Sequence, residues 1–260
     1  MWNDDPLTFL AQINLADIAP FQLGLPTGGL LLFFFCFDQN LESVRAQTGG
    51  VGRVLHVPAL SLVRGRLPKR AGEPFDSCTV RYISYPSLPS AFNSDVHSLW
   101  EMDFLDDDEH DAAYDGVIDE IDKALGIDKL PTHGGYNYHQ LLGYPAPVQS
   151  ESIEVDMERA RNNLRVLPQL PVPQKSLWDE FKEFVFSCPG ASQVEPPSPP
   201  PPPPPVSIDR CREWQLLMEF REDEHAWIQL VDSGRLYFMY PSGEFRDGKF
   251  DHPWTAMEFY

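Results

Sequence analysis

GGLLLFFFCFD, residues 28–38, sets eight apolar residues, Leu30 to Phe37, behind a pair of glycines. A bilayer span takes roughly 20 apolar residues, so this run is too short to be one. It is not a secretory core either: the chain opens MWNDDP, with Asp4 and Asp5 where a signal peptide carries Lys or Arg. A buried helix and a strand remain. Gly29 in front and the Phe-rich content favour the strand. Because the run is continuous rather than alternating, a strand buried on both faces is expected.

The two ends of the chain support this choice. LTFLAQINL (Leu7–Leu15) followed by GGLLLFFF (Gly28–Phe35) is echoed by WQLLMEFRE (Trp214–Glu222) followed by SGRLYFMY (Ser233–Tyr240). Aligning Phe9 with Leu216 puts Ile13 on Phe220, at an offset of 207. Aligning Gly29 with Gly234 puts Leu31 on Leu236 and Phe33 on Phe238, at an offset of 205. In the second copy, Ser233-Gly234 is a turn signal before a strand-forming aromatic run. Two copies are too few for a solenoid. The pattern predicts a duplicated β-hairpin unit.

These segments, PLTFLAQINLADI (Pro6–Ile18), GGLLLFFF, WQLLMEF and DSGRLYFMY (from Asp232), together with HQLLGYPAPVQ (His139–Gln149), resemble the YwqG-like family, a bacterial-type family of unknown function. The resemblance implies a mixed, β-rich domain around a duplicated unit, and it implies no catalytic residues. Family members carry a Gly- and Pro-containing segment before the first motif. This chain starts almost on that motif, so a family strand or loop is expected to be missing.

The expected fold is therefore α+β and β-rich, a single domain over 1–260 with a duplicated hairpin/sheet unit and intervening helices. A Pro-rich spacer at 189–206 interrupts it, and the second repeat unit occupies 207–260. Pro199 to Pro205 lack N–H groups and have fixed φ, which gives polyproline II rather than helix or sheet. A ligand for an SH3- or WW-like groove is the alternative to a spacer.

Between the repeats, strands are expected over Val54–Leu60 and Cys78–Ser84, and GGVGRV (Gly49–Val54) reads as a turn. Val117, Ile118, Ile121 and Leu125 recur at helical spacing, with Gly126 as a cap. Further helices are expected over 156–166 and 176–185. In the second, Ser176 and Asp179 resemble a capping box, and Trp178, Phe181, Phe184 and Val185 form its apolar face. Cys36 and Cys188 are expected against apolar surface, and none of the four cysteines has metal-ligand spacing.

The formal charge of -19 opposes nucleic-acid binding, which needs a basic surface. It suits a basic protein partner instead. Arg64, Arg66, Lys69 and Arg70 read as a solvated loop, with an anion-binding loop as the alternative. Asp106, Asp107, Asp108, Glu109 and Asp111 lack the spacing of an EF-hand and read as a solvated helix start. No P-loop, nucleophile elbow or zinc-protease motif is present, so no cofactor, metal or catalytic residue is assigned.

The candidate binding or structural motif is His139, Gln140, Gly143, Tyr144, Pro145 and Gln149, with Asp232 from the second repeat. A polar pocket around His139 is one reading. Side chains that satisfy a tight Gly143-Tyr144-Pro145 turn are the favoured one. The functional expectation is a cytoplasmic, membrane-free, non-catalytic binding protein for a basic partner, with toxin neutralisation as its furthest extension. A hydrolase using His139 and a Pro-tract adaptor are the alternatives.

Overall fold

The computed structural model describes residues 7–21, 23–37, 47–48, 51–61, 77–84, 86–89, 93, 107–125, 138–148, 152–162, 206–223, 226, 228, 230, 234–241 and 244–258. The elements in chain order are β1 (Thr8–Asn14), α1 (Leu15–Ile18), β2 (Leu30–Phe35), β3 (Gln47–Thr48), β4 (Gly52–Val57), α2 (Asp107–Leu125), β5 (Gln140–Leu141), α3 (Ile153–Arg161), α4 (Ile208–Cys211), β6 (Trp214–Arg221), β7 (Arg235–Pro241) and β8 (Trp254–Glu258). They form two antiparallel sheets, ordered β1-β2-β4 and β3-β8-β7-β6-β5. This is an α+β, β-rich fold. No described helix is long and apolar enough to cross a membrane.

The two copies share their register residue by residue. In the first, Phe9 pairs with Phe34, Ala11 with Phe33 and Ile13 with Leu31. In the second, Leu216 pairs with Met239, Met218 with Phe238 and Phe220 with Leu236. Both ladders slip at the same place, between Phe9 and Ala11 and between Leu216 and Met218. The extra residues, Leu10 and Leu217, are both buried. A bulge bends its strand and increases the twist, so the equivalence extends to sheet shape.

A third strand completes each unit. β4 pairs with β2 (Phe33 opposite Val54), as β8 pairs with β7 (Phe238 opposite Thr255). The repeat is a three-stranded meander rather than a hairpin alone. Gly29 and Gly234 stand immediately before β2 and β7. At Gly29 φ is +95°, and a Cβ there would lie 2.4 Å from the Val57 carbonyl oxygen, so only glycine fits.

The sheets pack face to face. Leu31, Phe33 and Phe35 of the first meet Phe220, Leu236, Phe238 and Tyr240 of the second in one core. Phe33 makes edge-to-face contacts with Phe220 and Phe238, the arrangement that aromatic quadrupoles favour. Closer in, Gly52 leaves room for Thr255: a Cβ would lie 2.3 Å from its Cγ2. The other face of the second sheet is covered by α3, with Ile153 and Met157 on Trp214, Leu216, Tyr237 and Met239.

Several expectations need correction. β2 is not buried on both faces. Leu31, Phe33 and Phe35 are buried, whereas Leu30, Leu32 and Phe34 are half-covered, because only one face meets the second sheet. The strand expected over Val54–Leu60 is β4, Gly52–Val57, followed by a 3-10 turn at Ala59–Ser61. Gly52 to Val54 therefore belong to that strand, not to a turn.

Cys78–Ser84 forms no ladder among the described residues, although its residues favour strands. Val117 lies half-exposed on α2, whose part-buried stripe is Tyr114, Ile118 and Ile121. The helix expected from 156 begins at Ile153, because Ser152 caps it by accepting from the Val155 N–H. Cys36 is half-buried against the core, and Cys211 is the fully buried cysteine among those described. Helix 176–185, Cys188, the proline tract, the basic loop at 64–70 and the side chains of Asp106 to Asp111 lie outside the described residues.

Candidate functional site

HQLLGYPAPV docks on the second sheet through backbone groups that its own sequence leaves open. β5 pairs with β6, with Gln140 opposite Glu219. Leu142 and Gly143 then both take left-handed backbone, with φ of 63° and 84°. For a leucine this conformation costs about 1–2 kcal/mol. The turn is braced from inside. The Gln140 side-chain amide donates to the Leu142 and Tyr144 carbonyls at 2.9 and 2.7 Å, and the Tyr144 N–H donates to Ser87 Oγ at 2.9 Å. Strain held by surrounding bonds in this way is a common mark of a working surface.

Beyond the turn, Pro145 and Pro147 have no N–H, so only Ala146 and Val148 need acceptors. Glu219 Oε2 accepts from the Ala146 N–H at 3.0 Å, and Glu258 Oε2 accepts from the Val148 N–H at 2.7 Å. Arg235 and the Tyr237 hydroxyl donate to the Ala146 carbonyl. Glu219 is fully buried, and its Oε1 accepts from Arg221 Nε at 2.7 Å with Arg235 3.6 Å away. The carboxylate is thus held between two guanidiniums. Burial, with Glu258 and Glu219 adding to it, holds the Tyr237 phenol well above its ordinary value, so it stays a donor.

His139 does not serve the turn, contrary to the sequence-based expectation; Gln140 and Ser87 do. His139 Nδ1 accepts from the Arg221 N–H at 3.2 Å, and Nε2 lies 3.4 Å from Asp223 Oδ2. The neutral tautomer with its proton on Nε2 satisfies both contacts. Both ring nitrogens are therefore engaged by the end of β6. The side chains of His139 and Asp223 are 16% and 14% exposed, and neither lines the neighbouring cleft. Gln149 and Asp232 lie outside the described residues.

That cleft, of about 310 Å³, lies beside the turn. Leu142 to Pro145 form one wall, and α3, α4 and the start of β6 supply Glu154, Cys211, Trp214 and Gln215. Glu154 is buried; its carboxylate accepts from Ser152 Oγ at 2.7 Å and from Asn93 Nδ2 at 3.4 Å. Trp214 Nε1 donates to Glu158, which also pairs with Arg161. Burial, reinforced by Glu158 and Glu154, pushes the Cys211 thiol up to about 11, which suppresses the thiolate that nucleophilic chemistry requires. No group of three or more His, Cys, Asp or Glu among the described residues forms a metal-binding cluster.

Glu219, Arg221, Arg235, Tyr237 and Glu258 were not anticipated from the sequence. The repeat carried a signal for them. Their equivalents in the first unit, by register, are Gln12, Asn14, Leu30, Leu32 and Val57. Charged side chains replace Gln12, Asn14, Leu30 and Val57, and a tyrosine replaces Leu32, where the second sheet receives the docked segment.

Residues 1–258 match the family model described as Domain of unknown function (DUF1963). No curated protein matches the chain. The chain belongs to the DUF1963 family.

Proposed function

We propose that this protein is a non-catalytic binding protein whose acidic surface serves a basic protein partner, and that it is one of the YwqG-like proteins. The observation that carries this reading is the engagement of the reactive groups around the docked segment. Both nitrogens of His139 have partners, Glu219 and Glu258 hold backbone N–H groups, and the Cys211 thiol is buried and held neutral. A general base needs a free basic atom within reach of substrate. A partner needs only a preorganised surface, and the braced turn offers one. The charge of -19 supports a cationic partner, through long-range attraction. A basic toxin held by its immunity protein is the furthest form of this proposal.

The test is to assay the full chain against chromogenic esters, phosphate esters and glycosides, with His139→Ala in parallel. Rates equal to buffer for both proteins are expected. Turnover by the native chain that disappears in folded His139→Ala would establish the hydrolase reading instead.

A further inference from the structure

We infer that the cleft beside the Leu142–Pro145 turn binds a small organic monocarboxylate, with its carboxylate on Arg246, Gln215 and the Tyr144 hydroxyl. The proposal rests on the cleft alone, so it stands or falls separately from the basic partner.

Arg246 is the first observation. Among the described residues of the second unit, Arg210, Arg212, Arg221 and Arg235 each pair with a carboxylate. Arg246 does not. Its Nε donates to Gln215 Oε1 at 3.2 Å, one terminal nitrogen donates to the Leu23 carbonyl at 3.3 Å, and its Cζ lies 5.4 Å from the Phe245 ring centroid. Gly24 gives it room: a Cβ there would lie 2.7 Å from the guanidinium. All of these partners are neutral. In a chain of charge -19, an exposed guanidinium at the cleft thus bonds to neutral groups and pairs with no carboxylate among the described residues. Such a fork matches a carboxylate.

Two further donors line the cleft. Gln215 uses its oxygen on Arg246, which leaves its amide nitrogen for a ligand. Tyr144 is 43% exposed and bonded through its backbone, and its hydroxyl lies within electrostatic range of the Tyr114 phenol, from where it can still donate to a ligand. Leu142, Pro145 and Leu216 give the cleft an apolar wall for the body of the ligand. Its volume lies at the small end of ligand sites. The Glu154 carboxylate, bonded by Ser152 and Asn93, also lines the cleft. It repels a second negative charge on a ligand, which selects monocarboxylates over dicarboxylates.

Titrating the full chain with hexanoate, hexanamide and adipate, followed by saturation-transfer NMR, tests this. Hexanoate is expected to bind in the millimolar range, hexanamide about tenfold more weakly because it loses the charge-assisted bond to Arg246, and adipate about tenfold more weakly because its second carboxylate meets Glu154. Arg246→Gln should lose about tenfold for hexanoate and nothing for hexanamide. Tyr144→Phe, which deletes one oxygen at an exposed position, should lose several-fold and serves if Arg246→Gln fails to fold. Equal binding of hexanoate and hexanamide, no binding of hexanoate, or unchanged hexanoate affinity in the folded variants overturns the proposal.

Discussion

Phe33 and Phe238 occupy the same position in the two copies, and they meet each other across the sheet interface, centroids 5.4 Å apart and planes at 78°. A residue that touches its own equivalent is the signature of an isologous contact, the kind made across a two-fold axis. Here that contact lies within one chain.

The pair should be energetically coupled. Phe33→Ala and Phe238→Ala are each expected to destabilise by about 3–5 kcal/mol, since each removes a buried aromatic ring. The double variant should lose less than the sum, by about 0.5–1.5 kcal/mol. Urea unfolding of the three variants measures this; strict additivity would mean that the rings do not interact.

Two glycines should resist substitution and one should not. Gly29→Ala must hold a side chain at positive φ against the Val57 carbonyl, and Gly52→Ala drives a methyl into Thr255. Each should cost about 1 kcal/mol or more. In α2 the space around Gly116 is open to a Cβ, so Gly116→Ala should be neutral or stabilise by up to about 1 kcal/mol. Thermal melts rank the three.

Glu219→Gln keeps the shape of the side chain but leaves Arg221 and Arg235 without their shared charge. It should cost about 3 kcal/mol or more. His139→Ala removes one acceptor for the Arg221 N–H and should cost about 1–3 kcal/mol. If both variants melt like the native chain, the docked segment does not contribute to stability.

Cys211 predicts a pH dependence. Its thiol moves from an ordinary 9.0 to about 11 in the fold. Below pH 9 it is protonated in both states and has no effect on the balance. Between 9 and 11 the unfolded chain loses the proton and the folded chain keeps it, so stability falls as pH rises. Cys211→Ala should flatten that limb of a urea-midpoint profile taken from pH 8 to 11. At pH 8, a thiol reagent should modify exposed Cys78 and spare Cys211. An unchanged slope in the variant would rule out the assignment.

The sheet framework was legible because strand pairing leaves a local pattern, and repetition doubled it: the offsets aligning Phe9 with Leu216 and Phe33 with Phe238 are those of the observed ladders. The third strand was harder. Gly52 looks like a turn residue in GGVGRV, and only the approach of Thr255, distant in sequence, explains a glycine inside a strand. In the site, the GYP turn and its brace Gln140 were visible, but Ser87, Glu219 and Glu258 were not. Glu219 and Glu258 sit in apolar runs, and their roles depend on a segment that docks from far along the chain. His139 was found as a residue of interest and assigned the wrong partners, because nothing local links it to Asp223.

β3 lies between β2 and β4 in the chain, yet it pairs with β8 at the edge of the other sheet. The first unit therefore lends a strand to the second. Among the described residues no strand of the second unit joins the first sheet in return, and the β7–β8 connection carries the 3-10 turn at Glu244–Asp247. A symmetric pair of units could exchange places without consequence; these two cannot. A hybrid made of two second units would lack the strand that closes the β8 edge and would expose it to other chains. A chain cut between residues 62 and 76 should instead yield fragments that recognise each other by edge as well as by face, and so reassemble in one orientation.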